Sequence, residues 1–112
     1  MKVVTAETMT KLLERAAMAP RRRISLNLHP ETSDPINRFL NAGLAGTYVR
    51  PHRHRTEKWE LLTILYGKLD VVIFDINGRI TNRVALSPQD RCLIEIPGGQ
   101  WHSFIFRPAV VL

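Results

Sequence analysis

The chain has 112 residues, enough for one domain with a single modest core. Its composition is that of a globular protein: no apolar run approaches the roughly 20 residues of a membrane span, and the lone cysteine, Cys92, rules out an intrachain disulfide. The formal charge is +6, and twelve of the sixteen basic residues are arginine, which favours planar, two-pronged contact with carboxylate or phosphate.

The N-terminal stretch "MKVVTAETMTKLLERAAMAP" lacks the continuous apolar segment of a signal peptide, so a cytoplasmic location is expected. Residues 5–19 read as a helix instead. Met9, Leu12, Leu13, Ala16 and Ala17 recur at helical spacing, Thr5 is a suitable N-cap, and Pro20 ends the pattern. From residue 23 the period changes. Ile24, Leu26 and Leu28 alternate with Ser25, Asn27 and His29, as in a strand with one polar face. "PETSDP" is a loop, and "INRFLNAGL" is a strand or a short helix.

Strand signals are denser beyond Gly46. "TYV" leads into "RPHRHRTEKWE"; "LLTILY" and "KLDVVIF" are separated by Gly67; Asn77-Gly78 signals a two-residue hairpin turn. "RVAL", the turn "SPQD", "RCLIEI", the turn "PGG" and "WHSFIF" follow. Many short strands without helical crossovers predict an antiparallel sandwich or barrel. The final "AVVL" either pairs in the sheet or marks a longer natural chain that has been cut. An all-β chain of this size has edges to cover, so a homodimer is expected.

On a strand, residues two apart share a face, so His52 and His54 can point inward together while Arg53 points out. His102 follows the Pro-Gly-Gly turn, and Glu60 or Glu57 supplies a carboxylate. Three imidazoles and one carboxylate suit zinc, iron, manganese or nickel. Glu60 is the better acid on its spacing to Gly67. Arg50, and Tyr48 by the same parity, would line the pocket, Tyr48 alternatively being a core aromatic; Asn27 and His29 would do so if they face its mouth. Arg38 is a further candidate for a small anionic ligand, or pairs with Asp34. Cys92 is expected to be a buried, inert thiol. No nucleic-acid motif or interleaved aromatic series accompanies the basic residues, so nucleic acid is not an expected partner, nor is a membrane.

Gly46, five residues, His52-x-His54, then Glu60, six residues and Gly67 resemble the first motif of the cupin superfamily. "PGGQWH", from Pro97 to His102, resembles the second. Residues 23–106, including "NLHPETSDPINRFLNAGL", are similar to the bacterial WbuC-type family of cupin-fold metalloproteins, often found among genes for surface polysaccharide synthesis. The resemblance implies a jelly-roll barrel (a double-stranded β-helix) over 23–112 in a single domain, with one N-terminal helix. It implies His52, His54, Glu60 and His102 as ligands of one divalent metal. Members of that family continue further, which implies a barrel lacking a C-terminal part here. The chain departs from the motifs in the five-residue gap before Glu60, in Arg91 where glycine is usual, and in Phe106 where asparagine is usual. The resemblance leaves two functions open: a metal-dependent isomerase, epimerase or oxygenase-type enzyme on an anionic or sugar-derived substrate, and a metal-stabilised ligand-binding or sensor module.

Overall fold

A computed structural model describes residues 1–112. Helix α1 spans Ala6–Met18. Thr5 caps it: its hydroxyl accepts from the Thr8 backbone N–H at 3.2 Å, and the Thr8 hydroxyl accepts from the Thr5 N–H at 3.3 Å. Ala19 leaves the helix with ψ 141°, the extended conformation that the following Pro20 imposes on its neighbour. Met9, Leu12, Leu13 and Ala16 turn to the protein as expected, whereas Ala17 faces solvent.

Seven strands follow: β1 (Arg23–Asn27), β2 (Phe39–Leu44), β3 (Glu60–Thr63), β4 (Tyr66–Phe74), β5 (Ile80–Leu86), β6 (Leu93–Ile96) and β7 (Trp101–Val111). They form a five-stranded sheet in the order β1-β2-β7-β4-β5 and a two-stranded sheet of β3 and β6, with every pairing antiparallel. The mostly β architecture with one N-terminal helix agrees with the sequence reading. The closed barrel expected over 23–112 does not form, because no strand ladder joins the two sheets. The physical reason lies in residues 47–59. "TYVRPHRHRTEKW" forms no strand, and its only ladder contact is an isolated bridge between His52 and His102. Pro51, which has no N–H to donate, sits in the middle of it.

The main core lies between the sheets. Leu62 of β3 and Ile96 of β6 meet Leu69 and Val71 of β4, Leu86 of β5, and Phe106 and Val110 of β7. Phe106 lies flat on β2 at Gly43, where a Cβ would come within 2.5 Å of its ring. A second core lies on the other face, where Leu12 and Ala16 of α1 pack on Leu40 and Ala42 of β2 and Val111 of β7. Adjacent residues Val110 and Val111 thus serve opposite cores, as strand alternation requires. "AVVL" pairs in the sheet: Val110 and Val111 oppose Gly43 and Ala42, and Leu112 exchanges both backbone bonds with Asn41 at 2.7 and 3.0 Å.

Two turns differ from expectation. Gly67 does not end a strand but sits inside β4 at a bulge, with φ +83° and the carbonyl of Ala109 occupying the place of a Cβ. The Asn77-Gly78 connection is a three-residue loop, not a two-residue one. Asp75 N–H donates to the Arg79 carbonyl, and the Asp75 carboxylate accepts from the N–H groups of Asn77 and Arg79 at 2.8 and 2.9 Å. That side-chain cap holds Gly78 at φ +80° and lengthens the turn.

Candidate metal centre

Two backbone features bring the histidines together. His52 and His102 exchange both N–H···O bonds, each at 2.9 Å. Gly99 N–H then donates to the His54 carbonyl at 3.0 Å. The Pro97-Gly98-Gly99 turn can approach that closely only with glycines. A Cβ on Gly98 would stand 2.3 Å from the Thr56 carbonyl oxygen and 2.4 Å from that of Arg55, and Gly99 has φ +79°. The five residues before Glu60 are absorbed by a tight turn, in which Lys58 N–H donates to the Arg55 carbonyl at 2.9 Å. Glu60 then opens β3 with its side chain on the inner face, beside Leu62 in register with β6.

The result is a cluster of His52, His54, Glu60 and His102, with one donor atom from each lying within 4.8 Å of all the others. Glu60 Oε2 is 2.9 Å from His54 Nε2 and 3.1 Å from His102 Nε2. The ring centroids of His52 and His102 are 4.3 Å apart, and Phe104 closes the inner wall at 5.4 Å from His102. His102 is fully buried, whereas the His54 side chain is 41% exposed, so the cluster has a dry side and a wet side. Such a set could hold a metal ion: oxygen and nitrogen ligands bind transition metals at about 2.0–2.2 Å, which needs only a small contraction of the present spacing.

The proton positions favour that role. His52 Nδ1 lies 2.9 Å from the Arg50 carbonyl, and His102 Nδ1 lies 2.8 Å from the Gln100 carbonyl. A carbonyl oxygen cannot donate, so each Nδ1 carries the proton and donates it. In the neutral ring the lone pair then sits on Nε2, aimed into the cluster. Metal-binding histidines are usually oriented by this kind of outer hydrogen bond. With only protons present, Glu60 organises the cluster. Burial pushes its carboxyl up, but hydrogen bonds from His102 and then His54, together with their charge, outweigh this and hold it below the ordinary value. Burial likewise pushes His102 down, and the bonds to Glu60 and to the Gln100 carbonyl outweigh it and raise the ring above its ordinary value.

The other candidate residues lie elsewhere. Glu57 faces solvent, accepts from the Thr56 hydroxyl at 3.4 Å and lies 3.9 Å from Arg55, away from the cluster. Arg53 turns out, as expected, and lies over Trp101 at 5.0 Å from the ring centroid. Arg50 and Tyr48 do not share the inward face. Both are exposed, Tyr48 at 73%, while Val49 between them packs on the main core. Tyr48 is therefore not a core aromatic either. Asn27 is exposed at the end of β1. His29 is buried, and its Nδ1 accepts from the Arg38 N–H at 3.0 Å, closing the β1–β2 connection. The Arg38 side chain pairs with Asp34 at 3.4 Å. Cys92 is exposed, not buried, because it lies just before β6, outside the regular strand whose Ile94 and Ile96 turn to the core. The features missed from sequence were backbone ones. Nothing in the residue types at 50 and 100 announces that their carbonyls orient the two rings.

No helix is long and apolar enough to cross a membrane. No curated protein matches the chain. A family model does match residues 4–86, a span that includes His52, His54 and Glu60 and stops before His102. The chain therefore belongs to the family described as a domain of unknown function, DUF6016.

Proposed function

We propose that this chain is a cupin-type metal-binding protein. His52, His54, Glu60 and His102 hold one divalent transition metal, zinc, iron, manganese or nickel, and a small anionic or sugar-derived molecule is bound or transformed at its wet side. The observation that carries this reading is the pair of Nδ1–H···O=C bonds that leave Nε2 of His52 and His102 free to donate a lone pair to an ion shared with Glu60. The cupin-like spacing of both histidine segments adds to it, as do Arg53 and Arg55, which flank the exposed His54 in the chain. When bound, such a metal polarises a carbonyl or hydroxyl, or lowers the pKa of a bound water. Arg53, held over Trp101, and Arg55 give the mouth a positive field that draws anions. The expected setting is surface polysaccharide synthesis in the cytoplasm, with the protein as a homodimer.

One observation favours a second reading, a metal-stabilised binding or sensor module without catalysis. The polar side chains of Tyr48, Arg50, Asn27, His29 and Arg38 are exposed or tied to local partners and do not converge on the cluster. Metal analysis of protein purified without added metal tests the shared claim. The expected result is about one equivalent per chain, lost in His54→Ala; a wild-type protein that neither carries nor takes up zinc, nickel, manganese or ferrous iron sinks it. A screen of nucleotide sugars and small hydroxy or keto acids with the loaded protein then separates the two readings: turnover supports the enzyme, and saturable binding without turnover supports the module.

A further inference from the structure

The face of the five-stranded sheet turned away from the metal cluster carries a second polar group. His102 and Phe104 of β7 point to the inner side, so Ile105 and Arg107 point to the outer one. The register adds Lys68 and Asp70 of β4 and Arg83 and Ala85 of β5 to that outer face. Asp70 is 7% exposed, although no element covers it. What covers it is arginine. Its Oδ2 accepts from Arg83 Nε at 3.1 Å and from Arg83 Nη2, and lies 2.8 Å from Arg107 Nε. Two guanidinium groups are thus held side by side by one carboxylate oxygen. Arg83 pairs across from Val72 and Arg107 across from Lys68, so they reach Asp70 from opposite diagonals. Directly opposite Asp70 stands Ala85, whose short side chain leaves a hollow of about 380 Å³, with Ser87 and Asp90 on its far wall.

The charge at this hollow is unbalanced. Lys68, Arg83 and Arg107 face only Asp70 and Asp90, which leaves a surplus of one positive charge. Each arginine presents five N–H donors; Asp70 accepts hydrogen bonds from two of Arg83 and is held to Arg107 by charge. The remaining donors have no protein acceptor. A planar carboxylate is satisfied by one guanidinium fork. Two forks and an ammonium arriving from different directions suit a tetrahedral oxyanion better.

We propose that this hollow binds the phosphate group of a small phosphorylated molecule, at a site separate from the metal centre. Asp70 preorganises the two arginines, Lys68 supplies a third cation, and Ala85 leaves the room. The site does not depend on the metal, so stripping the metal leaves it intact.

Nitrogen-15 arginine side-chain NMR, with inorganic phosphate titrated at constant ionic strength, tests this. The expected result is a saturable shift of the Arg83 and Arg107 Nε–H resonances at millimolar phosphate or below, unchanged by chelator. Lys68→Gln, which spares the Asp70 contacts, should weaken binding about tenfold. Ala85→Leu, at an exposed position, should abolish saturation by filling the hollow. Shifts that are linear and alike for all twelve arginines, as with chloride, would overturn the proposal, because the cluster would then be an ion group that only packs the sheet face. Undiminished affinity in Ala85→Leu would overturn the placement.

Discussion

Glu60 and His102 have opposite dependences on pH, and together they define a window. Glu60 is held below its ordinary value of 4.5, so its contribution to stability is present above that pH and is lost as pH falls through its lowered folded value. His102 is held above its ordinary 6.5, so its contribution is present below 6.5 and is lost as pH rises through its raised folded value. Metal-free protein is therefore expected to be most stable between about 4.5 and 6.5, with a decline on both sides. Denaturant midpoints measured against pH in the presence of chelator check this; a midpoint still rising above pH 8 would contradict it. Metal reverses the alkaline side, because it binds the neutral imidazole and competes with protons. At this scale the grouping of His52, His54, Glu60 and His102 was legible, through residue types and the resemblance to the cupin motifs. The placement of Arg50 and Tyr48 was not. Alternation holds only on a regular strand, and Pro51 with the following turn removes that regularity, so Val49 takes the inward position instead.

Among the elements, the Pro97–Gly99 turn matters most to the site. It touches no residue of the cluster with a side chain, yet it sets where the His54 backbone lies. Gly98→Ala would push the Arg55 and Thr56 carbonyls back and carry His54 with them. The expected outcome is a 10- to 100-fold loss in metal affinity, of the order seen when outer-shell support is removed. Isothermal titration with zinc measures it, and an unchanged affinity would show that the loop is soft enough to absorb the methyl group. Gly67, Gly78, Gly98 and Gly99 were read as strand breaks or turns and Gly43 as part of a strand or short helix, but what each one does was not legible. Gly98 gives room to a carbonyl, Gly67 sits in a bulge within a strand, and Gly43 makes room for the Phe106 ring. Each reason involves a partner far away in sequence. The Asn77-Gly78 loop shows a local version of the same limit: the Asp75 carboxylate, two residues upstream of the dipeptide, decides the length of the turn.

For the whole molecule, the β2–β7 pairing is shared by two cores on opposite faces, so damage on the helix side reaches the side that holds the histidines. Leu12→Ala opens a cavity in the smaller core and should cost about 2–4 kcal/mol, read from urea unfolding. A loss under about 1 kcal/mol would mean that the helix is only loosely docked. A metal held by the cluster would act across the sheets, because Glu60 belongs to the two-stranded sheet and His102 to the five-stranded one. Free metal at 100 times its Kd should stabilise the fold by about 2.7 kcal/mol and raise Tm by about 10 °C, an effect that chelator abolishes. The absence of any shift would place the cluster outside the folding equilibrium. The mostly β class was legible from short strands and turns. The failure to close a barrel was not, because closure depends on whether residues 47–59 join a ladder, and that is settled by contacts distant in the chain.

The strand that both cores share also orders events in time. Val111 completes the packing around Leu12, Leu40 and Ala42, residues made far earlier in the chain, while its neighbours Val110 and Leu112 complete the other core. A nascent chain emerging from the ribosome therefore holds its helix and first two strands without their partner until residues 109–112 have been made. Until then the smaller core lacks Val111, and the larger one lacks Val110 and Leu112. Pulse-labelling with limited proteolysis would show this as protease resistance gained abruptly once residues 109–112 have left the ribosome, instead of stepwise along the chain.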